Sequence, residues 1–299
     1  MNQLAPLRFT GENTFATAQL RAIPGQLVVL LLLVAWLYSS ILLHLVFQWR
    51  DDANFSHGFL VPPFALFVLW HERKRLRGIS IKPSSWGLAV IGFSLSVLVL
   101  GVLGAELFLA RVSFVFLLAG LILLFFGAAH LRAALFPVSV LLLMIPIPAI
   151  VFDQMTFPLQ IIASKLAAAA LPVLGVPVLR EGNIMKLPAL SLQVAEACSG
   201  IRSLLSLITL TAVYGYVMKS RNWLRAALVV SAVPIAILAN SLRIIVTGIL
   251  GQYWSPQRAE GFFHTFSGWL VFLMSVLIVC LTERLLRFGY WEVRRCLAS

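Results

Sequence analysis

Long apolar runs separated by short polar turns make up most of the chain. They fall at about 25–48, 56–71, 86–105, 107–128, 131–151, 199–217, 223–250 and 265–288. Stretches of about 20 apolar residues match the hydrocarbon thickness of a bilayer, so each run reads as a transmembrane helix. The run at 56–71 is short and carries Pro62-Pro63, which predicts a kink or a tilt. A further segment, roughly 155–175, mixes alanines with Pro158, Gln160, Ser164, Lys165 and Pro172. After it, Glu181-Gly182-Asn183 is a turn signal between short apolar flanks and predicts a small hairpin. The fold class expected is all-α: a polytopic membrane protein with about eight transmembrane helices, one re-entrant or interfacial helix, and a short hairpin on the outer face.

Composition agrees and removes other classes. The chain of 299 residues is 61% hydrophobic, with a mean hydropathy of +0.97 and only 11% charged residues. A soluble domain carries about 25% charge. A formal net charge of +12 would suit a nucleic-acid partner, but the bases sit in short clusters between apolar runs, as the positive-inside rule expects. No nucleic-acid-binding motif is present, so the lipid bilayer is the partner expected and nucleic acid is not.

Charge also decides the topology of 155–175. If that segment does not span, eight spans leave both termini in the cytoplasm, with fifteen bases and four acids on the inner side. The outer side then has eight bases and seven acids. If it spans, everything after it inverts, and Lys219, Arg221, Arg225 and the basic tail face outward, against the rule. The expectation is a re-entrant or interfacial helix on the outer side of a bacterial inner membrane. Residues 1–24 form a cytoplasmic segment, 25–288 the integral membrane domain, and 289–299 a cytoplasmic basic tail. No A-x-A cleavage site follows the first run, which reads as a retained helix.

Three cysteines, 198, 280 and 296, form no disulfide framework. Cys280 lies inside an apolar run and Cys296 in the basic tail. Cys198 is different. It stands at the start of a span, with Glu196 two residues before it, Ser199 and Gly200 after it, and Arg202 one turn on. A thiol attacks as thiolate, and its ordinary pKa of about 8.5 must fall for attack at neutral pH. A helix N-terminus supplies partial positive charge for that, and Arg202 adds more. Asn240, Arg243 and Thr247, spaced i, i+3 and i+7, share one helical face. An arginine inside a spanning helix is expensive and faces a cavity or partner unless it snorkels to headgroups. His264 follows Glu260 at the start of the last span. In the eight-span topology Cys198, Arg243 and His264 all meet the outer face. His57, in Phe55-Ser56-His57-Gly58-Phe59, lies there too and rivals His264 as the base, whereas His44, His71 and His130 read as interfacial. The cysteines and histidines lack metal-ligand spacing and no phosphate-binding loop is present, so neither a metal nor a cofactor is expected.

Glu196-Ala197-Cys198-Ser199-Gly200-Ile201-Arg202, Asn240-Ser241-Leu242-Arg243-Ile244 and His264 before the last helix resemble the three signatures of the exosortase/archaeosortase family. Ser56-His57-Gly58-Phe59-Leu60-Val61-Pro62 resembles that family's early motif, and the likeness runs from about 25 to 288. The resemblance implies a bacterial cysteine transpeptidase. Its partners would be membrane-anchored protein substrates with a C-terminal sorting signal: a Pro-Glu-Pro motif, one transmembrane helix and a basic tail. It also implies a link to exopolysaccharide and extracellular matrix. On that pattern Cys198 is the nucleophile, and Arg243 and His264 complete the site. Glu196, Ser199, Arg202, Asn240 and His57 support it or bind substrate.

Two other readings remain. A non-enzymatic transporter or polysaccharide-export component would place polar residues along a path through mid-membrane, whereas here they gather at one face, and no internal repeat is evident. A hydrolytic intramembrane protease shares the site and differs only in passing the acyl group to water.

Overall fold

The computed structural model describes residues 12–189, 191–194, 201–218, 222–253 and 262–298. Ten α-helices appear among them: α1 (Glu12–Asp51), α2 (Val61–His71), α3 (Arg73–Arg77), α4 (Trp86–Leu103), α5 (Leu107–Phe125), α6 (Ala128–Val140), α7 (Ala149–Ala170), α8 (Ile201–Val217), α9 (Asn222–Tyr253) and α10 (Phe262–Ala298). Two compact units meet within α1, at Val46 and Phe47. The first is the body of that helix; the second holds everything after it.

Six of the described helices are long and apolar enough to cross a membrane: Val28–Asp51, Trp86–Leu103, Leu107–Phe125, Ala149–Leu174, Asn222–Tyr253 and Gly268–Phe288. Ala128–Met144 and Ile201–Val217 are shorter apolar helices. Their outward side chains are large and apolar, as in Trp36, Leu103 and Leu285, each more than 70% exposed. Such a surface is stable only against lipid.

The run at 56–71 departs from expectation. It divides into a 3₁₀ turn, Ser56–Leu60, and the 11-residue α2. Pro62 and Pro63 stand in the first turn of α2, where a missing N–H costs nothing, so they start the helix instead of kinking it. At 1.5 Å per residue α2 is about 16 Å long, too short to cross alone. The 155–175 segment also differs: α7 begins at Ala149, is continuous through Pro158, and continues into a 3₁₀ turn at Pro172–Leu174.

The expected hairpin is present and is larger than the sequence pattern implied. The fold is therefore not purely helical. Strands β1 (Leu179–Glu181), β2 (Ile184–Lys186) and β3 (Ser191–Gln193) form an antiparallel sheet in that order. Gly182, at φ +66°, supplies the backbone conformation that the two-residue β1–β2 loop requires. The sheet is held to the helices by an apolar core of Ala163, Ala167 and Leu171 from α7, Met185 and Leu187 from the sheet region, and Ile244 from α9. Asn183 Nδ2 donates to Gln160 Oε1 at 2.9 Å, and Ser164 Oγ to the Gly182 carbonyl at 3.2 Å. These bonds satisfy polar groups that burial would otherwise penalise.

Candidate functional site

Cys198, Glu196 and Ser199 lie outside the described residues, but both anchors of their segment are visible. Val194, 2% exposed, donates its N–H to the Asn183 carbonyl at 2.9 Å. Ile201, fully buried, opens α8. Cys198 is three residues before Ile201, a reach of at most about 11 Å even for extended chain.

What surrounds that anchor follows from the register of the last three helices. Gly215 of α8 lies against Arg225 of α9, and Leu207 shares a core with Leu228 and Ala232. The two helices are therefore antiparallel, and Ile201 falls level with the region of Ala239. α9, at 32 residues, continues a further turn or more beyond the start of α8, and Asn240, Arg243 and Thr247 lie on that extension. Asn240 and Ser241 are 4% exposed and Thr247 is 9% exposed. α10 packs antiparallel to α9 by the same logic: Val279 joins the Leu228 and Ala232 core, and Gly268 faces Arg243. The guanidinium Cζ and Nη1 each lie 3.9 Å from where a Cβ on Gly268 would stand. His264 is one turn before Gly268 on the backbone of α10, level with Thr247; its side chain lies outside the described residues. The α9 arginine, the α10 histidine position and the N-terminal anchor of α8 therefore occupy one end of the bundle.

His57 reaches the same end from another direction. Arg202, in the first turn of α8, donates from Nε to Asn54 Oδ1 at 3.2 Å. The Ser56–Leu60 turn that follows packs against α8. His57 Nε2 lies 3.2 Å from the Leu143 carbonyl. A carbonyl only accepts, so Nε2 bears the proton, and in the neutral ring Nδ1 holds a lone pair. Nδ1 is buried, with the Asn54 backbone beside it. The mount is rigid: Trp49 Nε1 donates to the Met144 carbonyl at 2.8 Å, and any side chain at Gly58 would collide with the Trp49 indole.

Three features escaped the sequence pattern. Trp49 and Asn54 carry no motif, and only their contacts reveal that they place His57 and Arg202. Arg111, in α5, is 3% exposed and donates from Nη1 to Gln48 Oε1 at 2.7 Å. The signal for Arg111 was available, since an arginine within a spanning run is costly unless held by a partner. His130, read as interfacial, is buried in α6, 3.0 Å from the Phe126 carbonyl through Nδ1.

No curated protein matches the chain, and no solved structure does. The family model describing transmembrane exosortases matches residues 49–281, more than three quarters of the length, a span that includes positions 198, 243 and 264. With its apolar spans, the chain is a multi-pass membrane protein that belongs to the transmembrane exosortase family.

Proposed function

We propose that the chain is a bacterial inner-membrane cysteine transpeptidase or protease. It cleaves the C-terminal sorting signal of exported proteins, a Pro-Glu-Pro motif followed by a transmembrane helix, in connection with exopolysaccharide and extracellular matrix. Cys198 attacks the scissile carbonyl and forms a thioester. His264 acts as general acid/base for the leaving amine. Arg243 donates hydrogen bonds to the developing oxyanion or binds a substrate carboxylate bidentately. Glu196, Ser199, Arg202, Asn240 and His57 support the site or bind substrate, and an acceptor amine or water resolves the thioester.

The observation behind this reading is the position of Arg243. It faces Gly268 one turn from His264, about a turn beyond the level where α8 begins, and Cys198 precedes that start by three residues. Its Nε is buried, whereas a snorkelling guanidinium lies in water or among headgroups.

The reading includes eight spans, cytoplasmic termini and a site on the outer face, with α7 interfacial although it is long enough to cross; the Ser56–Leu60 turn and α2 together, about 26 Å, make the second crossing. The concentration of bases on the inner side in this topology supports it. In the first turn of α7 Phe152 meets Phe55 at 5.6 Å between ring centroids, beside the Asn54 link to the start of α8. At its far end Leu171 touches Gly248, and the Gly175 carbonyl accepts from Tyr253 Oη at 3.4 Å. The start of α7 thus lies by the start of α8, and its far end by the last turns of α9, so the helix runs obliquely past the α8–α9 pair.

Cys198→Ala and Cys198→Ser test the chemistry. Each should abolish processing of a sorting-signal substrate while the protein still inserts, and Cys280→Ala should process at nearly the wild-type rate. Processing by Cys198→Ala would exclude a thiol mechanism. The mass of the product's new C-terminus, free acid or amide, then identifies the acceptor.

A further inference from the structure

The three-stranded sheet has an edge that pairs with no other strand among the described residues. Register fixes which backbone groups face it. Ile184 pairs with Gln193, Met185 with Leu192 and Lys186 with Ser191. One step further along, Val194 N donates to the Asn183 carbonyl, so 183 and 194 form a hydrogen-bonded pair. Antiparallel ladders alternate between bonded and non-bonded pairs. Met185 and Leu192 are therefore bonded to each other, while the N–H and C=O groups of Ser191 and Gln193 point away from β2. No described strand pairs with that side of β3.

Natural proteins protect such edges with charge, proline or bulges. The opposite edge follows this rule: β1 contains Arg180 and Glu181, comes just after Pro177, and packs with α7. β3, Ser191-Leu192-Gln193, has no charge and no proline. It also leads directly toward the nucleophile, since Gln193 is five residues before Cys198.

From these observations we infer that the free edge of β3 is the substrate subsite. It binds the segment beside the scissile bond as an added antiparallel or parallel strand, using the backbone groups of Ser191 and Gln193. Strand addition takes affinity from main-chain bonds and needs an extended peptide. The inference rests on the proposed function, and it explains how that substrate fits. In an extended Pro-Glu-Pro segment the prolines, two residues apart, share one edge and need no N–H there, while the Glu N–H and C=O face the other edge, toward β3.

The test is binding of a fluorescent ten-residue peptide containing Pro-Glu-Pro to the full-length Cys198→Ala protein in lipid nanodiscs, with N-methylation scanned along its non-proline residues. Methylation at the Glu and at positions two residues apart from it should weaken binding at least threefold, with the intervening positions unaffected. Gln193→Pro, which removes one outward N–H and leaves the β2 ladder intact, should weaken the parent peptide by a similar factor. It should add little for the peptide already methylated at the paired residue. Equal effects at all positions, no effect at any, or no measurable binding of a peptide that the wild-type protein cleaves would overturn the subsite. Failure of the wild-type protein to cleave the parent peptide would instead refute the proposed function. Because the peptide scan leaves the protein unchanged, it decides the matter even if Gln193→Pro does not fold.

Discussion

Gly268 offers a direct way to move Arg243 without touching it. A Cβ at 268 would sit 3.9 Å from the guanidinium Cζ and from Nη1, an ordinary van der Waals contact. Gly268→Ala should therefore leave turnover close to wild type. Gly268→Leu adds a further carbon about 1.5 Å beyond Cβ, and its two methyls must take volume that the guanidinium now fills. Displacement of a catalytic group by about 1 Å costs on the order of 10²-fold in rate, which is about 2.7 kcal/mol. Arg243→Lys, which keeps the charge and loses the planar fork, should cost a comparable amount, about 2.7–4 kcal/mol, if the arginine acts as an oxyanion donor. The double variant Gly268→Leu, Arg243→Lys should then be hardly worse than either single one, because both remove the same interaction. The assay is single-turnover cleavage of a sorting-signal substrate in proteoliposomes, with melting temperature recorded to confirm that each variant folds. Wild-type turnover for Gly268→Leu would remove Arg243 from the reaction. Fully additive losses would mean that Gly268 acts through helix packing and not through the arginine.

The two histidines should separate in kinetics. His264→Ala should be severely impaired and His57→Ala less so; the reverse order in the cleavage assay would move the general base to His57. The topology predicts that a membrane-impermeant maleimide added to spheroplasts labels Glu181→Cys and not Ser220→Cys, since Glu181 is exposed on the sheet that this topology puts outside. Labelling at 220 instead would mean that α7 spans and that the site faces the cytoplasm.

The apolar runs alone determined that this chain lives in a bilayer. A surface with so few charges has no other stable environment, and spans of about 20 residues are readable because their length is set by the lipid and not by partners. The site was partly legible for a related reason. Arg243 is conspicuous in an apolar helix, and the Glu196-to-Arg202 motif is conspicuous at the start of another. The tertiary structure decided what depends on contacts between distant segments. Pro62-Pro63 had the same appearance in sequence whether it kinked a span or began a helix. The third strand was hidden because three residues of alternating pattern are too short to stand out, and β3 forms only where β2 and the α7 core receive it. The seating of Arg243 against Gly268, and the tether from Arg202 to Asn54 that brings His57 to the start of α8, depend on helix register. Hydropathy does not encode register, because every face of a lipid-embedded helix is apolar; small residues and single polar contacts select it.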